Sequence, residues 1–388
     1  MIPSVTGELS GKVDELRRAG ITVYNFSIGE PDFDTPDHVS TACKDALDKG
    51  YTHYTPIPGI MPLREAVCAK LLRENNVKYS PAEIVVSTGA KQALNNTMMA
   101  LVNPGDEVVT PTPCWVSYFE IIKLAGGVPV PVPCLESENF QLNIDRVRAA
   151  ITPKTRVILI NTPNNPTGAV YTPETMRALG ELAVEKDLIV ISDEIYEKLV
   201  FGDSKHVCLS SFSKEIWDHT VLINGLSKSC AMTGWRMGYS AAPQVLSRAI
   251  NSIQGHLTSN STTFVQWASI DALNNSDKDI DVMVAEFGRR RDYVFDRLTS
   301  IPGIKCAKAD GAFYLMPNVS GFFGKSYNGF VIKNDTDFCK YLLDQVHVAV
   351  APGSAFEAPE NIRLAYATSM DNLKNGLDRI QEALGLLA

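Results

Sequence analysis

Lys228 stands directly after a short apolar run, Val221-Leu222-Ile223, in the segment Asn224-Gly-Leu-Ser-Lys-Ser-Cys-Ala-Met-Thr-Gly-Trp-Arg236. An amine at the mouth of a buried strand, behind a glycine turn, suits condensation with an aldehyde. Arg236 suits a phosphate on the same ligand, because a guanidinium grips phosphate in a bidentate, charge-assisted fork. A Ser-Lys-Ser run by itself describes an ordinary solvated loop, so the chemistry of Lys228 depends on what the neighbouring segments supply.

Three such segments supply matching groups. Ile189-Val-Ile-Ser runs into Asp193-Glu-Ile-Tyr196. A carboxylate there would pair with a protonated pyridine nitrogen and keep the ring an electron sink, and the Tyr196 phenol would reach the ring's O3′. Val157–Ile160 leads into Asn161-Thr-Pro-Asn-Asn-Pro-Thr-Gly168. A turn this dense in Pro and Asn holds Asn165 where its amide would donate to a phenolate oxygen and to a substrate carboxylate. Thr88-Gly89-Ala90-Lys91 passes from a strand straight into a helix, so backbone N–H groups there would face a phosphate. Singly, these are a helix cap, a structured turn and a glycine-containing loop; together they describe a site for pyridoxal phosphate.

The elements that carry them alternate short apolar runs with helical patterns, the signature of a parallel sheet covered on both faces. Strands are predicted at Glu83–Ser87, Glu107–Thr110, Val157–Ile160, Ile189–Ser192 and Val221–Asn224. Leu94, Met98 and Leu101 share one helix face, and a second helix is predicted over Thr172–Lys186 with Thr172 as N-cap and Pro173 at its first position. After residue 280 a charged helix, Arg289–Leu298, precedes separated strand-like runs at Ala312–Met316, Val346–Ala351 and Ile362–Ala367. The Arg289–Arg291 cluster reads as a solvated helix face. A final amphipathic helix carries Leu373, Leu377, Ile380 and Leu384 on one side. The pattern divides the chain into a large α/β domain over 35–280 and a smaller α+β domain from 1–34 and 281–388.

The chain has 388 residues, 45% of them hydrophobic and 21% charged, with a net charge of −8. That is ordinary for a globular enzyme, and the negative balance argues against nucleic acid as a partner. The eight cysteines are scattered without a C-x-x-C or a zinc-like spacing, so reduced thiols, no metal and a cytoplasmic location are expected. The first residues, Met-Ile-Pro-Ser-Val-Thr-Gly-Glu, do not read as a secretory leader, and no run has the 18 or so apolar residues of a membrane helix.

The motifs as a set are those of a known family. Gly29-Glu-Pro-Asp-Phe-Asp-Thr-Pro36, Tyr54-Thr-Pro, Asn164-Asn-Pro-Thr-Gly168, Ser192-Asp-Glu-Ile-Tyr196, Ser227-Lys228, Thr233-Gly-Trp-Arg236 and Ile362-Arg363-Leu resemble the pyridoxal-phosphate-dependent aminotransferases of fold type I, class I/II, over nearly the whole chain. Thr88-Gly-Ala-Lys-Gln92 and Cys114-Trp-Val-Ser-Tyr118 draw the resemblance toward the bacterial aspartate aminotransferase branch. It implies a mostly parallel sheet of the seven-stranded type between helices, and pyridoxal 5′-phosphate as an aldimine on Lys228. Catalysis would rest on Lys228, Asp193 and Tyr196. The resemblance further implies Trp115 stacked on the ring, Ala90, Lys91 and Ser227 beside the phosphate, and Gly29 and Arg363 on the substrate, with Arg363 clamping its α-carboxylate. Tyr54 would reach the phosphate of the partner in a homodimer.

The reaction so implied is a ping-pong transfer between an L-amino acid and a 2-oxo acid, with Lys91 favouring aspartate and 2-oxoglutarate. Aromatic, alanine or prephenate specificity, a C–S β-lyase and, remotely, a ligand-sensing module are the alternatives. The last would need an attached DNA-binding segment, for which there is no room before residue 20. An N-terminal arm that covers the site in such enzymes is expected to be short here.

Overall fold

The computed structural model describes residues 5–388; residues 1–4, part of the stretch read for a leader, lie outside the described residues. Its centre is a seven-stranded sheet: β1 (Ile84–Thr88), β2 (Glu107–Thr112), β3 (Val128–Pro133), β4 (Thr155–Asn161), β5 (Ile189–Asp193), β6 (Thr220–Gly225) and β7 (Met237–Ala241). The spatial order is β1-β7-β6-β5-β4-β2-β3, with β7 antiparallel to both its neighbours and every other pair parallel. The inner strands are buried on both faces, as a parallel sheet between helical layers requires. The five predicted strands are present, each within two residues of its expected bounds.

Two strands of this sheet escaped the pattern reading for physical reasons. β3 is Val-Pro-Val-Pro-Val-Pro, a sequence that cannot donate at alternate positions; it is tolerated because β3 is an edge strand paired only with β2. β7 is Met-Gly-Tyr-Ser-Ala, with small residues at three of its five positions. A side chain at Gly238 would collide with the backbone at Gly89 and Ala90, so the smallness of β7 lets the β1 turn approach it.

Helix α1 (Ala90–Leu101) follows β1 directly, with Leu94 and Met98 buried and Leu101 half-buried. Helix α2 (Pro173–Lys186) begins as predicted, Thr172 accepting from the Thr175 N–H with Pro173 next to it. Each helix therefore starts where a strand end has just delivered its polar residues, which fixes those residues at one edge of the sheet.

The C-terminal third builds a second apolar core. Helix α3 (Asp277–Thr299) and helix α4 (Met370–Gly385) pack on a small antiparallel sheet of β8 (Tyr314–Leu315), β9 (Ala351–Pro352) and β10 (Ile362–Ala365). The strand-like runs read at 312–316, 346–351 and 362–367 shrink to these short pieces and to Val348–Ala349, which pairs with Tyr24–Asn25. Phe26 from the N-terminal segment is wholly buried in this core. Leu373, Leu377, Ile380 and Leu384 all face it.

One sequence reading is corrected: Arg289–Arg291 is not a solvated face. Arg289 is exposed, but Arg290 and Arg291 are buried. Arg290 pairs with Asp32 at 2.6 Å and Glu286 at 2.8 Å and lies over the rings of Phe33 and Phe287. Arg291 lies over Phe201 and donates to the Ala309 carbonyl. Charge pattern along one helix gives no sign of partners supplied from elsewhere in the chain, and those partners make burial affordable here.

Leu377 lies in the C-terminal core with its side chain fully enclosed. Leu377→Ala is expected to lose about 2–5 kcal/mol of stability, read as a lower urea midpoint at unchanged slope.

Candidate active site

The carboxyl ends of β1, β4, β5 and β6 open onto one cavity of about 370 Å³, closed from the other side by the N-terminal segment and by β8 and β10. Of the residues singled out from the sequence, Gly29, Ala90, Lys91, Trp115, Asn165, Asp193, Tyr196, Ser227, Lys228, Arg236 and Arg363 all line it. Tyr54 does not; it stands on the surface, 92% exposed.

Lys228 follows β6 in a tight turn, and its Nζ donates to the Gly29 carbonyl at 2.6 Å. Burial brings its amine down to about 8, with Glu30 opposing and Arg363 and Arg236 reinforcing the shift. A lysine so placed is largely a neutral nucleophile from mildly alkaline pH upward.

Asp193 closes β5 and is the single carboxylate in the cavity wall among the described residues. Burial pushes it up to about 6, against the hydroxyl of Tyr118, which donates to it at 2.7 Å, and the Ile195 N–H at 3.2 Å. A protonated ring nitrogen facing it would restore the ionised form, since an opposite charge favours the carboxylate.

Asn165 sits on its Pro- and Asn-rich turn as expected. Its backbone N–H donates to Asn161 Oδ1 at 2.8 Å, while Asn164 Oδ1 ties down Thr167 at 3.1 and 2.8 Å. Gly168, at φ 72°, ends the turn where a Cβ would lie 2.4 Å from Ala309. The Asn165 side-chain oxygen accepts from Arg363 Nη1 at 3.0 Å, which leaves its NH₂ group to donate into the cavity.

Arg363, from β10, is buried without an anionic partner within 4 Å among the described residues; Nη2 goes to the Ser27 carbonyl at 2.6 Å and Nε finds no acceptor. Burial lowers its proton affinity. An unpaired buried guanidinium is costly and calls for an anion from the ligand. Its rings are supplied by Tyr314 and Phe356, each 4.7 Å from the guanidinium carbon.

A second anion site lies across the cavity. Gly89, at φ 79°, caps α1, and its missing side chain makes room for the Arg236 guanidinium: a Cβ would sit 2.5 Å from Nη2. Arg236 itself adopts φ 58°, a left-handed backbone uncommon outside glycine, at the spot where its side chain meets the helix N-terminus. Helix N–H groups, Ser227 and a fixed guanidinium together suit a phosphate. Lys91, from the first turn of α1, lies over the Trp115 ring with Nζ 4.8 Å from its centroid. Trp115 forms one wall, edge-on to Tyr118 at 5.4 Å. The residues present thus fit a flat ring that carries a phosphate, a cationic nitrogen and an aldehyde.

Tyr118 and Tyr314 are among the wall residues that had no role assigned from sequence. Tyr118 lies three residues beyond Trp115, a spacing that puts both on one side of a helical turn, so the signal was available. Tyr314 shares a hydrogen bond of 2.8 Å with Tyr196, and nothing local in its two-residue strand marks it.

A cavity at the carboxyl edge of a doubly covered sheet, holding a buried lysine, a lone carboxylate and two anion sites, defines a phosphate-cofactor enzyme that works on carboxylate substrates. Comparison with known proteins gives the family: the model for aminotransferase class I and II matches residues 21–380, and the chain belongs to that family. It is 43% identical over 98% of its length to an aspartate aminotransferase of Geobacillus stearothermophilus, 96% of which is covered. It is 46% identical, with the same shares covered, to a probable aspartate/prephenate aminotransferase of Aquifex aeolicus. Its structure superposes on the aspartate aminotransferase of Rhizobium meliloti with TM-score 0.97 at 40% identity, covering 100% of this chain and 98% of that one. The Thermus thermophilus aspartate aminotransferase with maleate gives TM-score 0.93 at 41% identity, covering 99% and 97%.

In the protein without cofactor, acylation of Lys228 by an amine-selective reagent should reach half its plateau rate near pH 8. Solvated lysines do so near about 10.4. Peptide mapping across a pH series reads this, and a Lys228 midpoint near that of the surface lysines would show a solvated amine.

Proposed function

We propose that the chain transfers the amino group of aspartate to 2-oxoglutarate, using pyridoxal phosphate held covalently through Lys228. The observation that carries the reading is the charge layout of the cavity: Lys91, Lys228, Arg236 and Arg363 converge on it, none paired with a carboxylate within 4 Å among the described residues, with Asp193 the one anion in its wall. A ligand set with one phosphate, two carboxylates and one cationic ring nitrogen answers Arg236, Arg363, Lys91 and Asp193 in turn, and Lys228 is left for the covalent link.

The cofactor supplies an electron sink for the pair of electrons left when the substrate Cα loses its proton. Within the chain, Arg363 and Asn165 hold the α-carboxylate, and Arg236, Ser227 and the N-terminus of α1 hold the phosphate. Asp193, oriented by Tyr118, pairs with the ring nitrogen, and Tyr196 donates to the ring oxygen. Trp115 covers one face and excludes water. Lys228, once released by the incoming amino acid, carries the Cα proton as base and then as acid, and its amine, brought down to about 8, is suited to both directions at neutral pH. Lys91 faces the distal carboxylate of the substrate. The maleate bound by the Thermus thermophilus relative is likewise a dicarboxylate.

A homodimer completes this reading. Tyr54 is too exposed to serve its own cavity and is free to reach the phosphate site of a second copy. Residues 35–280 would form one domain and 1–34 with 281–388 another, a division supported by the separate core built on α3, α4 and β8–β10. A cytoplasmic location accords with eight unpaired cysteines, and no helix among the described residues is long and apolar enough to cross a membrane.

The reading is tested by titrating the yellow holoenzyme with a panel of amino acids. Aspartate should bleach the visible band and 2-oxoglutarate restore it. Prephenate, named for several relatives, belongs in the acceptor panel, and pyruvate and ammonia from a cysteine conjugate would mark a lyase instead. Lys228→Ala should lower turnover by more than about 10⁴-fold while the fold persists; transamination at an undiminished rate would end the assignment. Lys91→Ser should lower kcat/KM for aspartate by about 10- to 100-fold, the worth of one charge-assisted hydrogen bond, with little change for alanine. Equal losses for both substrates would remove Lys91 from that role.

A further inference from the structure

We infer that Tyr314 is a positioning residue that sets the direction in which Tyr196 gives its proton, and through it the acidity of the group bound at Lys228. The inference rests on the reading of Tyr196 as the donor to the cofactor's ring oxygen.

The geometry is that of a closed hydroxyl pair. Tyr196 and Tyr314 are both buried, and their hydroxyl oxygens lie 2.8 Å apart. Neither hydroxyl has another hydrogen-bonding partner among the described residues. Each phenol carries one proton. Once an acceptor in the cavity takes the proton of Tyr196, the contact between the two oxygens survives only with Tyr314 as donor. The O–H of Tyr314 then polarises that of Tyr196 and strengthens its donation, as successive hydrogen bonds do in a chain.

Tyr314 is held for this task from three sides. Its backbone is paired in the small sheet opposite Ala365, two residues from Arg363. Its ring packs on Phe313 at 4.7 Å and under the Arg363 guanidinium at 4.7 Å. Its hydroxyl lies against Gly29, where any side chain would come within 2.5 Å of it, and the Gly29 carbonyl is the one that accepts from Lys228. The residue thus touches the supports of the carboxylate clamp, the lysine and the ring-oxygen donor at once.

The experiment compares the holoenzyme with Tyr314→Phe, Tyr196→Phe and the double variant. The pH midpoint of the visible absorbance of the bound cofactor is read in each, and thermal unfolding serves as the check on folding. Phe at 314 keeps the ring over Arg363, so the variant retains its packing. Weaker donation from Tyr196 leaves the ring oxygen more basic, and the neighbouring nitrogen joined to Lys228 holds its proton to higher pH. Tyr314→Phe should therefore raise the midpoint by about half a unit to one unit. Tyr196→Phe should raise it further, and the double variant should match Tyr196→Phe alone. An unmoved midpoint in Tyr314→Phe alongside a shift in Tyr196→Phe overturns the inference and leaves the role of Tyr196 standing. A Tyr314→Phe shift that persists undiminished in the Tyr196→Phe background also overturns it. An unmoved midpoint in Tyr196→Phe would instead remove the reading on which the inference rests.

Discussion

The structure depends on one electrostatic constraint: charged groups are held in a low-dielectric cavity with their natural partners left out. Arg363 is buried and has only carbonyl and amide oxygens to bond, and Lys228 leans on a single backbone carbonyl, while Arg236, which is exposed and held by the Thr233 carbonyl, reaches over the N-terminus of a helix from the rim. The buried charges cost stability, and those groups respond by shifting toward neutrality: Lys228 and Arg363 downward and Asp193 upward, each through burial first. A ligand carrying the complementary charges would reverse those costs. In the proposed reaction the same unmet demand would account for affinity, for orientation and for the proton affinity of the Lys228 amine.

A fold must be rigid to keep such groups apart, and the sheet supplies that rigidity. β4, β5 and β6 are central parallel strands buried on both faces, and each ends in a residue that faces the cavity or in the turn leading to it. The antiparallel β7 adds the other requirement, which is close approach. Its glycine lets β1 and the start of α1 come near enough for Arg236 to share the anion site with the helix N-terminus. The remaining wall is brought by β8, β10 and the N-terminal segment, whose Phe26 is anchored in the C-terminal core while Ser27 and Gly29, next along the chain, line the cavity.

Much of this was legible in the chain. Asp193, Asn165, Lys228 and the Gly89 turn each follow an apolar run by a fixed, short interval, and a parallel sheet converts that interval into position at one edge. Helix α2 was readable to the residue because its cap and proline act locally. β3 and β7 were not legible, since prolines and small residues contradict strand propensity, and only the edge position of one and the close packing of the other make them strands. The burial of Arg290 and Arg291 was invisible for a related reason: Asp32, Phe33, Phe201 and Ala309 lie far away in sequence. Tyr314 falls in the same class. Its meaning comes from Tyr196, Gly29 and Arg363, three residues on three different segments.

The sequence by itself determined which reactive groups exist and where along the sheet edge each is delivered, because strand ends and helix starts are set by local propensity and hydrophobic period. Only the tertiary structure decided their electrostatic state and their partners. Burial, pairing and the lack of pairing arise between segments that meet in space, and no local pattern encodes whether a charge such as Arg290 is answered by Asp32 or one such as Arg363 is left waiting for a ligand.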